Sequence, residues 1–342
     1  MSLHNKYNKQ DLRAQLNEKD EDRIVLSFYK YAHIGNTNFF RDYLYSNWIE
    51  IGVLGRIYVA NEGINAQISV PKNNFESFKT LTENILFLRG NRLNIAVEHE
   101  KESFIKLKIK VRPKIVADGL NDKSFDVTNG GKHLSAEQFN LLANDDETII
   151  VDMRNHYESE VGHFEGAITP DVDTFRESLP LIEDILKGKK QSNIIMYCTG
   201  GIRCEKASAY FKHKGFENVH QLDGGIIKYA KDAKEQGIEN KFKGKNFVFD
   251  YRLGEKISDD VISVCHQCGT SCDTHINCVN EACHLLLIQC ESCKEKYNSC
   301  CSDECKEIYA LPIEEQRALR KGKGAERNVF KKGRSNNLTF KK

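Results

Sequence analysis

Cys198 and Arg203 are the side chains best placed to do chemistry, in the stretch Asn193 to Ala209, NIIMYCTGGIRCEKASA. Thr199, Gly200, Gly201 and Ile202 separate the thiol from the guanidinium. Glycines in such a loop let successive backbone N–H groups turn inward, forming an anion-sized cradle where a helix begins. The helix N-terminus and Arg203 both favour the thiolate, lowering the thiol pKa from its ordinary value of about 8.5. The loop would make a nucleophile and stabilise an anion attached to it. Cys204 follows Arg203 directly. It either resolves an oxidised or persulfidated Cys198 as an internal disulfide or fills a small buried space.

The elements that must position this loop follow from apolar patterning. Ile194 to Tyr197 read as a strand that delivers Cys198, and a helix is expected from Arg203. Ser135 with Gln138 forms a capping box for an earlier helix. The strand Ile149 to Met153 carries Asp152 and Arg154 at its carboxyl end, where an ion pair or turn bond holding the neighbouring loop is the expected role. His163, in GHFEGA, reads as structural. Strands and helices alternate up to Ala230, which predicts an α/β domain whose parallel strands direct Cys198 to one edge.

Upstream, residues 1–22 are polar and read as a loose lead-in. A strand (Arg23 to Ala32), a helix (Asn38 to Trp48), two strands around the tripeptide NEG (Gly52 to Ala60, Ile64 to Val70) and a second helix reaching Leu88 follow. The second helix would start at Pro71, with Asn73 or Asn74 as cap. Strands around Leu93 to Val97 and Phe104 to Val111 complete β-α-β-β-α-β, the ferredoxin-like plan. The hairpin VANEGINAQ (Val59 to Gln67) carries Asn61, Glu62 and Asn65 at its tip. They serve either a local turn built on Gly63 or, by fold analogy, a substrate-facing loop.

Downstream, ten of the twelve cysteines crowd between Cys265 and Cys305. The pairs are Cys265 with Cys268, Cys278 with Cys283, Cys290 with Cys293, and Cys301 with Cys305, leaving Cys272 and Cys300 over. Eight paired thiolates suit two closed, structural zinc sites, an iron–sulfur cluster being the alternative. Sequential and interleaved pairing fit the spacing equally, and His266, His275 or His284 could replace a thiolate. Residues 317–342 hold ten basic residues against Glu326 alone. Such a tail is expected to be disordered unless bound, either merely solvated or a phosphate-neutralising arm on which Phe330 and Phe340 stack on bases.

At 342 residues the chain should hold two or three domains. The divisions expected are 1–114 (ferredoxin-like), 115–250 (α/β), 251–312 (cysteine-rich) and 313–342 (basic tail). The net charge of +1 identifies no partner by itself. No apolar run suits a membrane span or a signal core, so a cytoplasmic protein with reduced, metal-binding cysteines is expected.

The middle of the chain resembles the rhodanese family. The likeness rests on Thr148 to Ile168 (TIIVDMRNHYESEVGHFEGAI), the Cys198 loop and Val219 to Ile226 (VHQLDGGI). In that family the loop cysteine carries sulfur as a persulfide, and the related dual-specificity phosphatases use a longer Cys-x5-Arg loop. YKYAHIGN, VANEGINAQ, YCTGGIRCEKASA and CHQCGTSCDTHINC extend the resemblance over nearly the whole length, to rhodanese-family tRNA uridine hydroxylases. The resemblance implies oxygen-dependent 5-hydroxylation of the tRNA wobble uridine, with Cys198 as the active-site cysteine, dioxygen as co-substrate, and tRNA and a sulfur or electron donor as partners. The alternative is a sulfurtransferase that passes a Cys198 persulfide to tRNA or a small acceptor. No flavin, haem or 2-His-1-carboxylate motif is apparent.

Overall fold

The computed structural model describes residues 9–19, 21–122, 125–321 and 332–340. Residues 1–8, Glu326 and Phe330 lie outside the described residues. Part of the expected lead-in is helix α1 (Lys9–Lys19), because Leu12 and Leu16 bury against Ile105 and Leu54.

The N-terminal domain contains β1 (Arg23–Tyr31), α2 (Thr37–Glu50), β2 (Leu54–Ala60), β3 (Gly63–Pro71), α3 (Phe75–Glu83), β4 (Asn94–Ile95) and β5 (Leu107–Val111). The sheet order β4-β1-β3-β2-β5 is the ferredoxin-like arrangement with β5 added parallel to β2 at the edge. Alternation decides its faces: Leu26, Phe28, Ile57, Val59, Ile64, Ala66 and Ile68 form one core with Leu44, Trp48 and Phe78 of the helices. The opposite face carries Ser27, Tyr29, Asn65, Gln67, Arg56 and Tyr58. The second helix is shorter than the sequence suggested. It ends at Glu83, and a single 3-10 turn at Leu86–Leu88 brings Leu88 into the core.

The α/β domain runs through β6 (Lys132–Leu134), α4 (Ala136–Ala143), β7 (Ile149–Asp152), α5 (His156–Ser159), β8 (Gly162–Phe164), α6 (Phe175–Ile185), β9 (Ile194–Tyr197), α7 (Ile202–His213), β10 (Val219–Leu222) and α8 (Gly225–Gln236). β6-β10-β9-β7 form a parallel sheet, and Ser135 and Gln138 make the expected reciprocal capping box. Fully buried β9 carries Met196 into one flanking core and Ile195 and Tyr197 into the other.

β11 (Phe242–Asn246) pairs with β8 and with β12 (Glu255–Lys256), leading into the cysteine-rich region. There β13 (His275–Asn277) and β14 (Leu286–Ile288) form a hairpin, followed by α9 (Glu291–Lys296), α10 (Asp303–Ala310) and α11 (Ile313–Arg320). Contrary to the expected disordered tail, residues 332–340 pack back onto this region. Leu338 is buried among Cys278, Cys283 and Leu285, and the N–H groups of Thr339 and Phe340 donate to the His266 carbonyl at 3.0 and 2.9 Å. Phe340 lies beside Gly269, with about half of its surface exposed.

Candidate active site

β9 ends at Tyr197, and the chain turns through Gly201, at φ +101°, into α7. The Gly201 N–H donates to the Cys198 sulfur at 3.1 Å. Behind the loop, the Ile226 N–H donates to the Cys198 carbonyl at 3.0 Å. A Cβ at Gly225 would fall 2.5 Å from that carbonyl oxygen, so the second glycine of VHQLDGGI is what lets α8 back the loop.

Cys198 is fully buried, and burial pushes its thiol pKa up. The Cys204 thiol, the Arg203 charge and the N–H groups of Cys204 and Arg203 outweigh burial and lower it to about 6. Cys204 is driven the other way by burial and by Cys198, so it remains a protonated donor to the thiolate. Thr199 has a buried hydroxyl without a hydrogen-bond partner, a polar group available within the cradle.

Arg203 does not grip the sulfur directly. Its two terminal nitrogens bind the Glu158 carboxylate at 2.7 and 2.8 Å, which fixes the guanidinium beside the loop as a buried charge. Glu158, which the sequence reading missed, also accepts from the Asn155 N–H at 3.1 Å; the Asn155-x-x-Glu158 capping pattern was the available signal. Asp152 and Arg154 form a buried ion pair at 2.6 Å. Arg154 further donates to the Gly162 carbonyl at 2.6 Å, and the Tyr197 hydroxyl donates to Asp152 at 2.8 Å. This network pins the segment leading to β8, and His163 bonds the Ser159 carbonyl.

The N-terminal sheet covers the cysteine loop. Asn94 donates to the Gly200 carbonyl at 3.2 Å, Tyr29 donates to Glu205 at 2.9 Å, and Tyr31 donates to the Ile202 carbonyl at 3.4 Å. Glu205 also bonds His133 at 3.0 Å and accepts from Gln221 at 3.1 Å; burial pushes its pKa up, but these donors hold it lowered. A cavity of about 780 Å³ opens at this junction, lined by Tyr29, Tyr31, Asn94, His133, Gly200 and Glu205 among others. The alternating tyrosines of YKYA were the signal for this second wall.

The hairpin tip reaches across to α7. Lys206 is buried between Glu62 at 2.9 Å and Asp118 at 2.5 Å, and Glu62 also accepts from the Ile115 N–H at 2.7 Å. Gly63 is required because a Cβ there would lie 2.0 Å from the Lys30 carbonyl oxygen. The tip is thus an interdomain latch, more than a local turn.

The cysteine-rich region forms two four-sulfur groups, Cys265, Cys268, Cys290, Cys293 and Cys278, Cys283, Cys301, Cys305. The pairing is therefore interleaved. The separations Cys268 to Cys290, Cys283 to Cys301 and Cys301 to Cys305 are each 3.6 Å. Metal–sulfur bonds of about 2.3 Å in a tetrahedron require about 3.8 Å, so both donor sets are compatible with a metal ion. Cys272 and Cys300 lie outside both groups, as do the three histidines; His266 instead bonds Glu160 at 2.9 Å. Among the described residues, no helix is long and apolar enough to cross a membrane.

Residues 23–115 match the family described as UPF0176 acylphosphatase like domain, residues 135–232 the Rhodanese-like domain, and residues 243–306 the Rhodanase C-terminal family. The chain is 54% identical over 332 residues to the tRNA uridine(34) hydroxylase of Leptospira interrogans, covering 97% of this chain and 90% of that protein. It is 54% identical over 333 residues to the tRNA uridine(34) hydroxylase of Yersinia pestis, covering 97% and 94%. A solution structure of a rhodanese-like domain from Anabaena sp. is 20% identical, at TM-score 0.26, over 33% of this chain and 78% of that one.

Proposed function

The chain belongs to the tRNA uridine(34) hydroxylase family, and we propose that it is an enzyme that hydroxylates C5 of the tRNA wobble uridine with dioxygen, using Cys198 as nucleophile. The observation that carries this reading is a buried cysteine in an amide cradle, its thiol lowered to about 6. Thiolate addition to C6 of uracil would place an electron pair at C5, making that carbon enolate-like and open to an oxidant. In overall balance, uridine, dioxygen, two electrons and two protons give 5-hydroxyuridine and water, so a two-electron donor is a required partner. The Cys204 thiol and the loop N–H groups stabilise the thiolate before attack, while the Arg203 charge, held by Glu158, acts on it from nearby.

The two four-cysteine groups would hold zinc, closed and structural, with no coordination position open to substrate. Zinc bound there would supply folding free energy to a segment whose own apolar core is small. A tRNA substrate and thiols kept for metal binding would suit a cytoplasmic enzyme.

A sulfurtransferase would use the same cradle to hold a Cys198 persulfide, and one experiment separates the readings. Nucleosides of tRNA from a deletion strain are compared by mass spectrometry after complementation with wild type or Cys198→Ser. Hydroxyuridine restored only by wild type supports the hydroxylase. Full restoration by Cys198→Ser refutes the nucleophile, while Cys198-dependent release of thiocyanate from cyanide, with no change in hydroxyuridine, establishes the sulfurtransferase.

A further inference from the structure

The open face of the N-terminal sheet is used unevenly. On the β4 and β1 side it covers the cysteine loop, with Asn94 and Ser27 over Gly200. On the β2 and β5 side it is a row of cations. Pairing in register sets Arg56 beside Lys108 and Tyr58 beside Lys110, and alternation puts Lys106 and Arg112 on the same face. Their neighbours Ile57, Val59, Leu107 and Ile109 point into the core. Arg56, Lys106, Lys108 and Arg112 are exposed, and the Arg112 guanidinium lies 6.0 Å from the Tyr58 ring centroid.

Like charges side by side on one sheet face destabilise it unless a counter-charge arrives. Among the described residues, no carboxylate forms an ion pair with any of these five cations. The crowding is felt: after burial, the charges of Lys110, Lys106 and Arg56 all lower the Lys108 pKa. The row also leads to the site. Arg56 is paired with Gln67, and Gln67 with Ser27, so Arg56 stands two strands, or about 10 Å, from the residue facing the loop. Lys332 continues the positive field from the other side. Its ammonium lies 5.1 Å from the Tyr157 ring centroid, and it feels the charges of both Arg56 and Glu158, the carboxylate that holds Arg203.

We propose that this half of the sheet is the docking floor for the sugar-phosphate backbone of the RNA substrate, with Arg56, Lys108, Lys110 and Arg112 on phosphates and Tyr58 against a base or ribose. The assignment rests on the tRNA reading above and adds where the RNA lies. Cations around an aromatic, without carboxylates, are what a phosphate backbone selects and what a shape-read RNA requires. The floor orients and holds the molecule. It carries no sequence preference of its own.

The test uses the full-length protein and an unmodified tRNA transcript, comparing wild type with the triple variant Arg56→Ala, Lys108→Ala, Lys110→Ala. All three side chains lie off the core and repel one another, so the variant should unfold at no lower temperature than wild type. Loss of three phosphate contacts should weaken binding about 10- to 100-fold at 0.15 M salt and reduce the slope of log affinity against log salt by about two. Equal affinity and equal slope in the two proteins overturn the proposal, as would unchanged tRNA binding together with lost binding of polyglutamate, which would give the face to an acidic protein. Weakened tRNA binding by the variant, where wild type leaves uridine unhydroxylated, supports the docking floor and refutes only the chemistry. Wild-type hydroxylation with unchanged variant affinity refutes only the floor.

Discussion

Removing the Cys204 thiol should make Cys198 a poorer thiolate by a predictable amount. In the folded protein the Cys198 thiol is lowered to about 6, against about 8.5 for an ordinary thiol, so roughly nine-tenths of it is ionised at pH 7. Among the influences that lower it, the Cys204 hydrogen bond stands ahead of the Arg203 charge. A hydrogen bond to a charged group is worth about 1.5 to 3 kcal/mol, or about one to two pKa units. Cys204→Ala should therefore raise the Cys198 midpoint to between about 7 and 8, while Cys204→Ser, which keeps a donor, should leave it closer to wild type. The thiolate absorbance that Cys198→Ser abolishes, followed by ultraviolet difference spectroscopy across pH, measures this independently of turnover. The same shift predicts that folding stability from Cys198 is fully present above pH 9, where an unfolded thiol is also ionised, and is lost as pH falls through about 6. A wild-type midpoint near 9, or a Cys204→Ala midpoint still at 6, refutes the account of the cradle.

Other expectations concern the parts that hold the site. Interleaved pairing predicts that Cys265→Ser and Cys290→Ser, singly or together, remove one and the same metal ion, whereas Cys265→Ser with Cys278→Ser removes both; elemental analysis of the purified variants checks this. Lys206→Met leaves Glu62 without its cation and Asp118 with Lys114 alone, and should cost about 3 kcal/mol in urea unfolding. Gly201→Ala combines a φ of +101° with a new Cβ 2.8 Å from the Tyr29 hydroxyl, so activity should fall. Pairing it with Tyr29→Phe removes the contact but not the backbone strain, so recovery should be partial.

The cysteine loop was legible because strand, cradle and helix are local in sequence: the same few residues supply the turn, the charge and the nucleophile. Element order gave the ferredoxin-like sheet for a similar reason, since alternating and helical apolar patterns repeat within short windows. What could not be read were contacts between distant segments. Nothing near Arg203 announces Glu158, and nothing in VANEGINAQ announces that Glu62 meets Lys206. Cysteine spacing fixes the pairs but not which pairs meet, because that depends on the β13–β14 hairpin returning between them. The tail was misread where a polar, basic composition outweighed Leu338, the apolar anchor that docks it.

Those long-range contacts are unequal, and the inequality bears on how a buried sulfur is reached. Over the cysteine loop the cover is polar: Asn94 on the Gly200 carbonyl and Tyr31 on the Ile202 carbonyl are neutral bonds that water can replace, each worth about 1 kcal/mol net, while Tyr29 on the Glu205 carboxylate is charge-assisted and stronger. The Arg92 ion pair with Asp223 beside them is half exposed and adds little. At the hairpin tip, by contrast, the Lys206 ammonium donates to both Glu62 oxygens at 3.0 and 2.9 Å, and breaking that charge-assisted contact leaves Lys206 with Asp118 alone. Parting the domains is therefore cheapest around Gly200 and Ile202 and more costly at Glu205 and at the tip.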